Sequence, residues 1–322
     1  MEPLDILSTV ATITLGVTAV IMFVAYKFKH LQDMMVYHPH SPEDSHTHCM
    51  QPQDVGLTRY EPITITTVDG IALKGFFMHP NDGGASTFTL IYFHGNAGNV
   101  GHRMPIARIL IESLRCSVLM MDYRGFGLSD AVPPTEEGLK LDAQATIDFA
   151  LKHGKAHKDR LFVLGTSLGG AVAIDVASRP AYANALCGVM VENSFTSISD
   201  MADVMFVPLL ERLLPRGSAI VVPLLKHVVK PVVMFVGWWS IDRVGRVTTP
   251  ILFLSGKKDE MIPPSQTKSL HAAAERSKKS DLVQLVEFPH GKHNDLFVAP
   301  GYAQSIEAFT REAMRKRQVQ VV

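Results

Sequence analysis

The sequence predicts an α/β domain with a doubly wound, mostly parallel sheet, an apolar cap insertion late in the chain and one apolar helix ahead of it. Three observations predict this. From residue 88 onward, short apolar runs of strand length alternate with helix-length patterns, as expected of βα repeats packed on both faces of a parallel sheet. Ahead of them lie two β-rich runs around Asp69-Gly70, a hairpin signal that makes the sheet mixed. Ile6 through Tyr26 carries no charge, and its roughly 21 residues at about 1.5 Å rise reach across the roughly 30 Å hydrocarbon core of a bilayer.

In chain order, residues 1–29 read as a transmembrane anchor rather than a cleaved signal peptide, because Glu2 and Asp5 stand where such a peptide needs basic residues. Lys27 and Lys29 follow the apolar run, which by the positive-inside rule favours a cytoplasmic domain. Residues 30–60 are rich in His, Pro, Ser and Gln without hydrophobic periodicity and read as a juxtamembrane connector. Their His46-Thr47-His48-Cys49 cluster lacks clear acidic or cysteine partners, so a solvated loop is preferred there over a metal site.

The main domain is expected over 61–318, opening with Ile63 to Val68 and Ile71 to Met78 as the hairpin. Buried parallel strands are expected at Phe88 to Phe93, Ser117 to Met121, Leu161 to Leu164, Gly188 to Val191, Ile251 to Leu254 and Leu282 to Val286. Helices fall between them at about 99–114, 135–153, 168–179, 264–277 and 301–316. Between 196 and 247 the alternation breaks into an apolar stretch interrupted by four prolines and holding Met205, Phe206, Leu209, Val232, Phe235 and Trp239. This insertion reads as a cap whose greasy surface suits an apolar substrate pocket.

At 322 residues and 47% hydrophobic content the chain is long and apolar enough for one large folded domain. Its 31 basic and 31 acidic residues cancel, leaving no electrostatic footprint for nucleic acid, which is not expected as a partner. Cys49, Cys116 and Cys187 are too few and too scattered for a disulfide framework or a paired-cysteine zinc site and read as free thiols.

The chemistry concentrates at Gly165-Thr166-Ser167-Leu168-Gly169, which follows a strand and opens a helix. In that context Gly-x-Ser-x-Gly forces the serine into a strained turn that holds its hydroxyl above the sheet. A serine hydroxyl is a poor nucleophile near neutral pH, so it needs a base and an acid to orient that base. Chain order supplies both on strand-end loops: Ile251 to Leu254 runs into Asp259, and the last strand runs into His293. Glu260 is the alternative acid and His290 the alternative base; the loop geometry favours Asp259 and His293. For the oxyanion, helix-start and loop N–H groups serve: Leu168 after the nucleophile, and Asn96 in the loop Phe93-His94-Gly95-Asn96-Ala97-Gly98-Asn99.

Those motifs, together with Asp122-Tyr123-Arg124-Gly125-Phe126-Gly127-Leu128-Ser129, Val191-Glu192-Asn193-Ser194-Phe195 and His293-Asn294-Asp295, resemble the membrane-anchored α/β-hydrolases over about residues 20–316. The resemblance implies an α/β-hydrolase fold, a Ser-Asp-His triad and a single N-terminal anchor. Two departures stand out. Related proteins often carry Arg or Gln where this chain has Thr166, and the family is usually described with its hydrolase domain beyond the membrane, opposite to the lean of Lys27 and Lys29. The wider group includes protein depalmitoylases, which implies an acyl-thioester as one plausible substrate.

The expectation is therefore a serine hydrolase of carboxylic esters or thioesters, with lipid or acylated-protein substrates, the bilayer as partner, no cofactor and no metal. The expected location is an endomembrane such as the endoplasmic reticulum. The rival readings are a non-catalytic binding or scaffold module that keeps the fold, and a peptidase or soluble-metabolite esterase.

Overall fold

The computed structural model describes the backbone of residues 3–321 and the side chains of residues 14–20 and 22–318. A long helix, α1 (Pro3–Val36), comes first. The side chains of Ile6 through Ile13, the first part of the expected anchor, lie outside the described residues. Thr14–Val36 is 23 residues long, with mean hydropathy 1.2 and 0% buried over its apolar window, long and apolar enough to cross a membrane. The helix does not stop at Lys29 as the sequence boundary implied. Leu31, Gln32, Met34 and Met35 are good helix formers, and the break comes only where Pro39 disfavours helix at the residue before it.

The sheet has eight strands: β1 (Tyr60–Thr66), β2 (Ala72–Met78), β3 (Thr89–Phe93), β4 (Ser117–Met121), β5 (Leu161–Thr166), β6 (Leu186–Glu192), β7 (Ile251–Gly256) and β8 (Val283–Phe288). Their spatial order is β1-β2-β4-β3-β5-β6-β7-β8. β2 runs antiparallel to both β1 and β4, and the rest are parallel. The hairpin turn is longer than a two-residue Asp-Gly turn: pairing ends at Thr66 opposite Ala72, and the Thr67 hydroxyl accepts from the Ile71 N–H. β3 to β7 are buried along their whole length, as their unbroken apolar runs require.

Helices α2 (Met104–Leu114), α3 (Glu136–Lys152) and α4 (Leu168–Ala177) follow β3, β4 and β5. The insertion folds as α5 (Ile198–Leu213), α6 (Ser218–Leu224), α7 (Lys230–Val233) and α8 (Ser240–Val244), and α9 (Pro264–Ser277) and α10 (Tyr302–Val321) complete the chain. α2 and α10 close one apolar core, while α3, α4, α8 and α9 close the other. Strand order reverses across β3, with β4 on one side and β5 on the other, so the crevice beyond the strands' carboxyl ends there is where such a sheet takes its ligand.

The insertion leans on α1. The Gln32 side chain donates to the Val233 carbonyl at 2.5 Å and accepts from the N–H groups of Phe235 at 2.9 Å and Val236 at 3.2 Å. The returning chain is then held by Glu136, whose Oε2 accepts from the N–H groups of Gly237 and Trp238 at 2.9 Å each. Trp238 is buried and donates its indole N–H to the Tyr37 hydroxyl at 2.8 Å. By contrast Met205, Leu213, Ile220 and Val232 of the insertion are exposed, as are Leu15, Val20 and Phe23 of α1.

Candidate active site

Ser167 joins β5 to α4 with φ 57° and ψ −119°, a strained conformation for a residue with a side chain. The glycines around it are there for closeness. A Cβ on Gly165 would lie 2.0 Å from the Gly169 carbonyl oxygen, and one on Gly169 would lie 2.0 Å from that of Phe93. The turn is tied into the sheet: the Ser167 N–H donates to the Glu192 carbonyl at 2.9 Å, and the Ser194 hydroxyl donates to the Ser167 carbonyl at 2.8 Å.

Asp259 lies just beyond β7 with both carboxylate oxygens engaged. Oδ1 accepts from the N–H groups of Met261 at 2.9 Å and Ile262 at 2.8 Å, and Oδ2 lies 2.8 Å from Nδ1 of His293. A carboxylate oxygen only accepts, so Nδ1 carries the proton and Nε2 is left as a lone-pair base. The alternatives Glu260 and His290 are both exposed, whereas Asp259 and His293 are buried.

Ser167, His293, Gly95 and Asn96 line one cavity of about 440 Å³, also walled by Tyr92, Arg103, Thr166, Glu192, Met261 and Phe297. Among the described residues no protein acceptor takes the backbone N–H of Asn96 or of Leu168, the first residue of α4, so both are free to donate. A Cβ on Gly95 would come within 3.6 Å of the Ser167 Cβ, which shows how closely the Asn96 loop approaches the serine. That loop is shaped from behind by His94, whose Nδ1 donates to the Gly95 carbonyl at 2.7 Å and whose own carbonyl accepts the Tyr123 hydroxyl at 3.1 Å. Burial drives the His94 imidazole down to about 3, so it stays neutral and structural.

No residue between 196 and 247 lines this cavity. The reason is the set of bonds from Gln32 and Glu136, which draws the end of the insertion toward α1 and α3. Of the other singled-out residues, His46 spends its Nδ1 on the Gly127 carbonyl at 3.0 Å. Arg124 bridges Asp69 at 2.7 Å and Asp142 at 2.8 Å, a brace none of whose members lines the cavity.

Two residues carry more than the sequence assigned to them. Asn193 adopts φ 43°, a region Asn tolerates, and its side chain staples three strand-end segments. Nδ2 donates to the carbonyls of Lys292 at 3.0 Å and His293 at 3.1 Å, while Oδ1 accepts from the Gly256 N–H at 2.9 Å. The Glu-Asn pair after an apolar run was the available signal. Glu192, beside it, is wholly buried and accepts the Tyr302 hydroxyl at 2.5 Å.

Burial raises the Glu192 carboxyl from 4.5 to about 7, with the Tyr302 bond opposing the shift. Between those two values the folded protein holds a proton that the unfolded chain has released, so stability falls as pH rises through this window and is flat below it. Asp122, raised by burial from 3.8 to about 7, adds to the same slope. Glu192→Gln keeps the acceptor and removes the titration. It is expected to flatten the fall in melting temperature between pH 5 and pH 8 and to stabilise at pH 8 by up to about 3 kcal/mol. Parallel pH profiles for the two proteins would refute this.

Comparison with known proteins agrees with the fold. A family model described as serine aminopeptidase, S33, matches residues 85–231. Alpha/beta hydrolase domain-containing protein WAV2 of Arabidopsis thaliana is 37% identical over 273 residues, 84% of this chain and 83% of its own. The chain belongs to the α/β-hydrolases. An uncharacterized membrane protein of Saccharomyces cerevisiae is 34% identical to this α/β-hydrolase over 285 residues, covering 88% of this chain and 90% of its own. An esterase of Pyrococcus furiosus shares the architecture at TM-score 0.64 and 18% identity, covering 87% of this chain and 98% of its own. Membership places this α/β-hydrolase among hydrolases, and its apolar N-terminal helix is a candidate membrane span.

Proposed function

We propose that the protein is a membrane-anchored serine hydrolase that cleaves carboxylic esters or thioesters of lipids or acylated proteins through an acyl-enzyme. The observation that carries the proposal is the Asp259–His293 bond of 2.8 Å beside a strained Ser167 in one cavity. His293 Nε2 takes the Ser167 proton as Oγ attacks the carbonyl, Asp259 steadies the imidazolium, and the N–H groups of Asn96 and Leu168 hold the oxyanion. His293 then protonates the leaving oxygen or sulfur. Water attacks the acyl-enzyme by the same route in reverse.

The membrane half rests on α1 and on the exposed apolar residues of the insertion beside it, which together give a bilayer more to receive than a single helix. An aminopeptidase reading, suggested by the family description, needs a free carboxylate in the cavity to grip a peptide's terminal amine. The carboxyl lining the cavity, Glu192, is engaged by Tyr302 and its burial favours the uncharged form, which supports the ester reading instead.

A fluorophosphonate probe tests the proposal on solubilised full-length protein. Wild type is expected to label and Ser167→Ala to label not at all, with the two melting alike. Labelling that persists in Ser167→Ala would take the nucleophile's role from Ser167, and absence of labelling from a folded wild type would reject the proposal in favour of a binding module.

A further inference from the structure

Beside the site cavity lies a larger cleft of about 1060 Å³ that no part of the reaction above uses. One wall is the last stretch of α1 and the turn after it, with Tyr26, Met34 and Tyr37; the other is the loop between β4 and α3, with Val132, Pro133 and Pro134. Most of its accessible lining surface is apolar, with Lys29, Asp33 and the imidazoles of His30, His38, His40 and His46 also bordering it. The two prolines add no N–H donors that an apolar occupant would leave unpaired. The cleft runs from the exposed Tyr26 on α1 to Tyr37, just past the helix end and 3% exposed, so it sits where the apolar helix meets the folded domain.

The cleft and the site cavity share one wall. Ser41 lines both. The segment around it is bonded to the loop that carries Asn96: the His38 N–H donates to the Asn96 carbonyl at 2.8 Å, the Gly98 N–H donates to the Ser41 carbonyl at 2.7 Å, and the Asn96 side chain donates to the Val36 carbonyl at 3.0 Å. The two spaces therefore adjoin at Ser41, across a segment bonded to the loop that would hold the substrate's carbonyl oxygen.

We infer that this cleft between α1 and the 131–135 loop binds the long acyl chain of the substrate, drawn from the bilayer beside α1, while the ester or thioester carbonyl passes Ser41 to Ser167. The inference rests on the hydrolase and anchor readings above and adds to them the place and length of the acyl group. Chain length should matter, because each buried methylene favours binding by about fourfold. A palmitoyl chain offers the cleft many more methylenes than a butyryl chain does.

The test uses full-length protein in phospholipid nanodiscs. A photoreactive palmitic acid carrying a diazirine near its methyl end is cross-linked to Ser167→Ala, and the labelled peptides are mapped. Labelling is expected within residues 26–41 and 131–135, reduced at least fivefold by excess palmitate, unaffected by butyrate and lost in the additional variants Val132→Trp and Met34→Trp, which fill the cleft from opposite walls. In the active background, the same two variants are expected to lower kcat/KM for a p-nitrophenyl palmitate at least tenfold and that for the butyrate less than twofold. Cross-links spread along the apolar part of α1 and the insertion without competition would overturn the inference, as would equal losses on both esters or no loss on either. Cross-links confined to the cleft in a protein that hydrolyses neither ester and takes no fluorophosphonate would leave the acyl site standing and remove the hydrolase reading.

Discussion

Asp259→Asn is expected to lower kcat on a short ester by about 10⁴-fold while the protein stays folded. The size follows from which atom the substitution changes. Oδ1 of Asp259 accepts two backbone N–H groups, from Met261 and Ile262. An asparagine keeps its carbonyl oxygen toward those donors, since turning its NH₂ to them would set three N–H donors face to face. The NH₂ must then meet His293 Nδ1, which lies 2.8 Å from Oδ2 in the native chain. His293 has to shift its proton to Nε2, and an Nε2–H cannot accept the proton of Ser167. Substrate binding and the oxyanion donors are untouched, so the loss belongs in kcat rather than KM. A kcat within tenfold of wild type, in a protein of unchanged melting temperature, would remove Asp259 from the proposed triad.

The second large effect is steric. Gly169→Ala adds a Cβ 2.0 Å from the Phe93 carbonyl oxygen, 2.6 Å from its carbon and 2.7 Å from the His94 oxygen. All three atoms are backbone, at the end of β3 and the start of the Asn96 loop, so no side chain can swing away. Either α4 shifts or the loop does, and each carries one of the two proposed oxyanion donors. A loss of about 1–3 kcal/mol in stability is expected, with a fall of about 10²-fold in kcat for a displacement near 1 Å. Gly217→Ala serves as the comparison, because its added Cβ meets nothing nearer than the Leu214 Cβ at 3.9 Å. Equal melting temperatures and rates for the two variants would refute the argument.

Ser167, Asp259 and His293 could be picked from the chain because each follows the end of a strand, and strand periodicity is local. Asn193 could not be given its part that way. Its partners Gly256 and His293 lie 63 and 100 residues away, and nothing in the spacing says that their loops meet. Glu192 looked like any polar residue at a strand end, and its burial beside Tyr302, 110 residues on, is a property of the packed core. The course of the insertion has the same origin. Apolar composition says that a segment seeks cover without naming the partner, and the bonds of Gln32 and Glu136 direct it toward α1 and α3.

What the sequence by itself determined is therefore what short-range chemistry encodes: the βα alternation, the hairpin, the glycine-flanked serine turn, the order of serine, acid and histidine, and an N-terminal helix apolar enough to enter a bilayer. Only the tertiary structure decided that α1 continues to Val36 and walls a second cleft, that Asn193 binds the loops of Asp259 and His293 together, and that the end of the insertion is bonded to α1 and α3. The physical reason is reach. Periodicity and turn geometry act over a few residues, whereas burial and the pairing of distant polar groups depend on which segments the closed fold brings into contact.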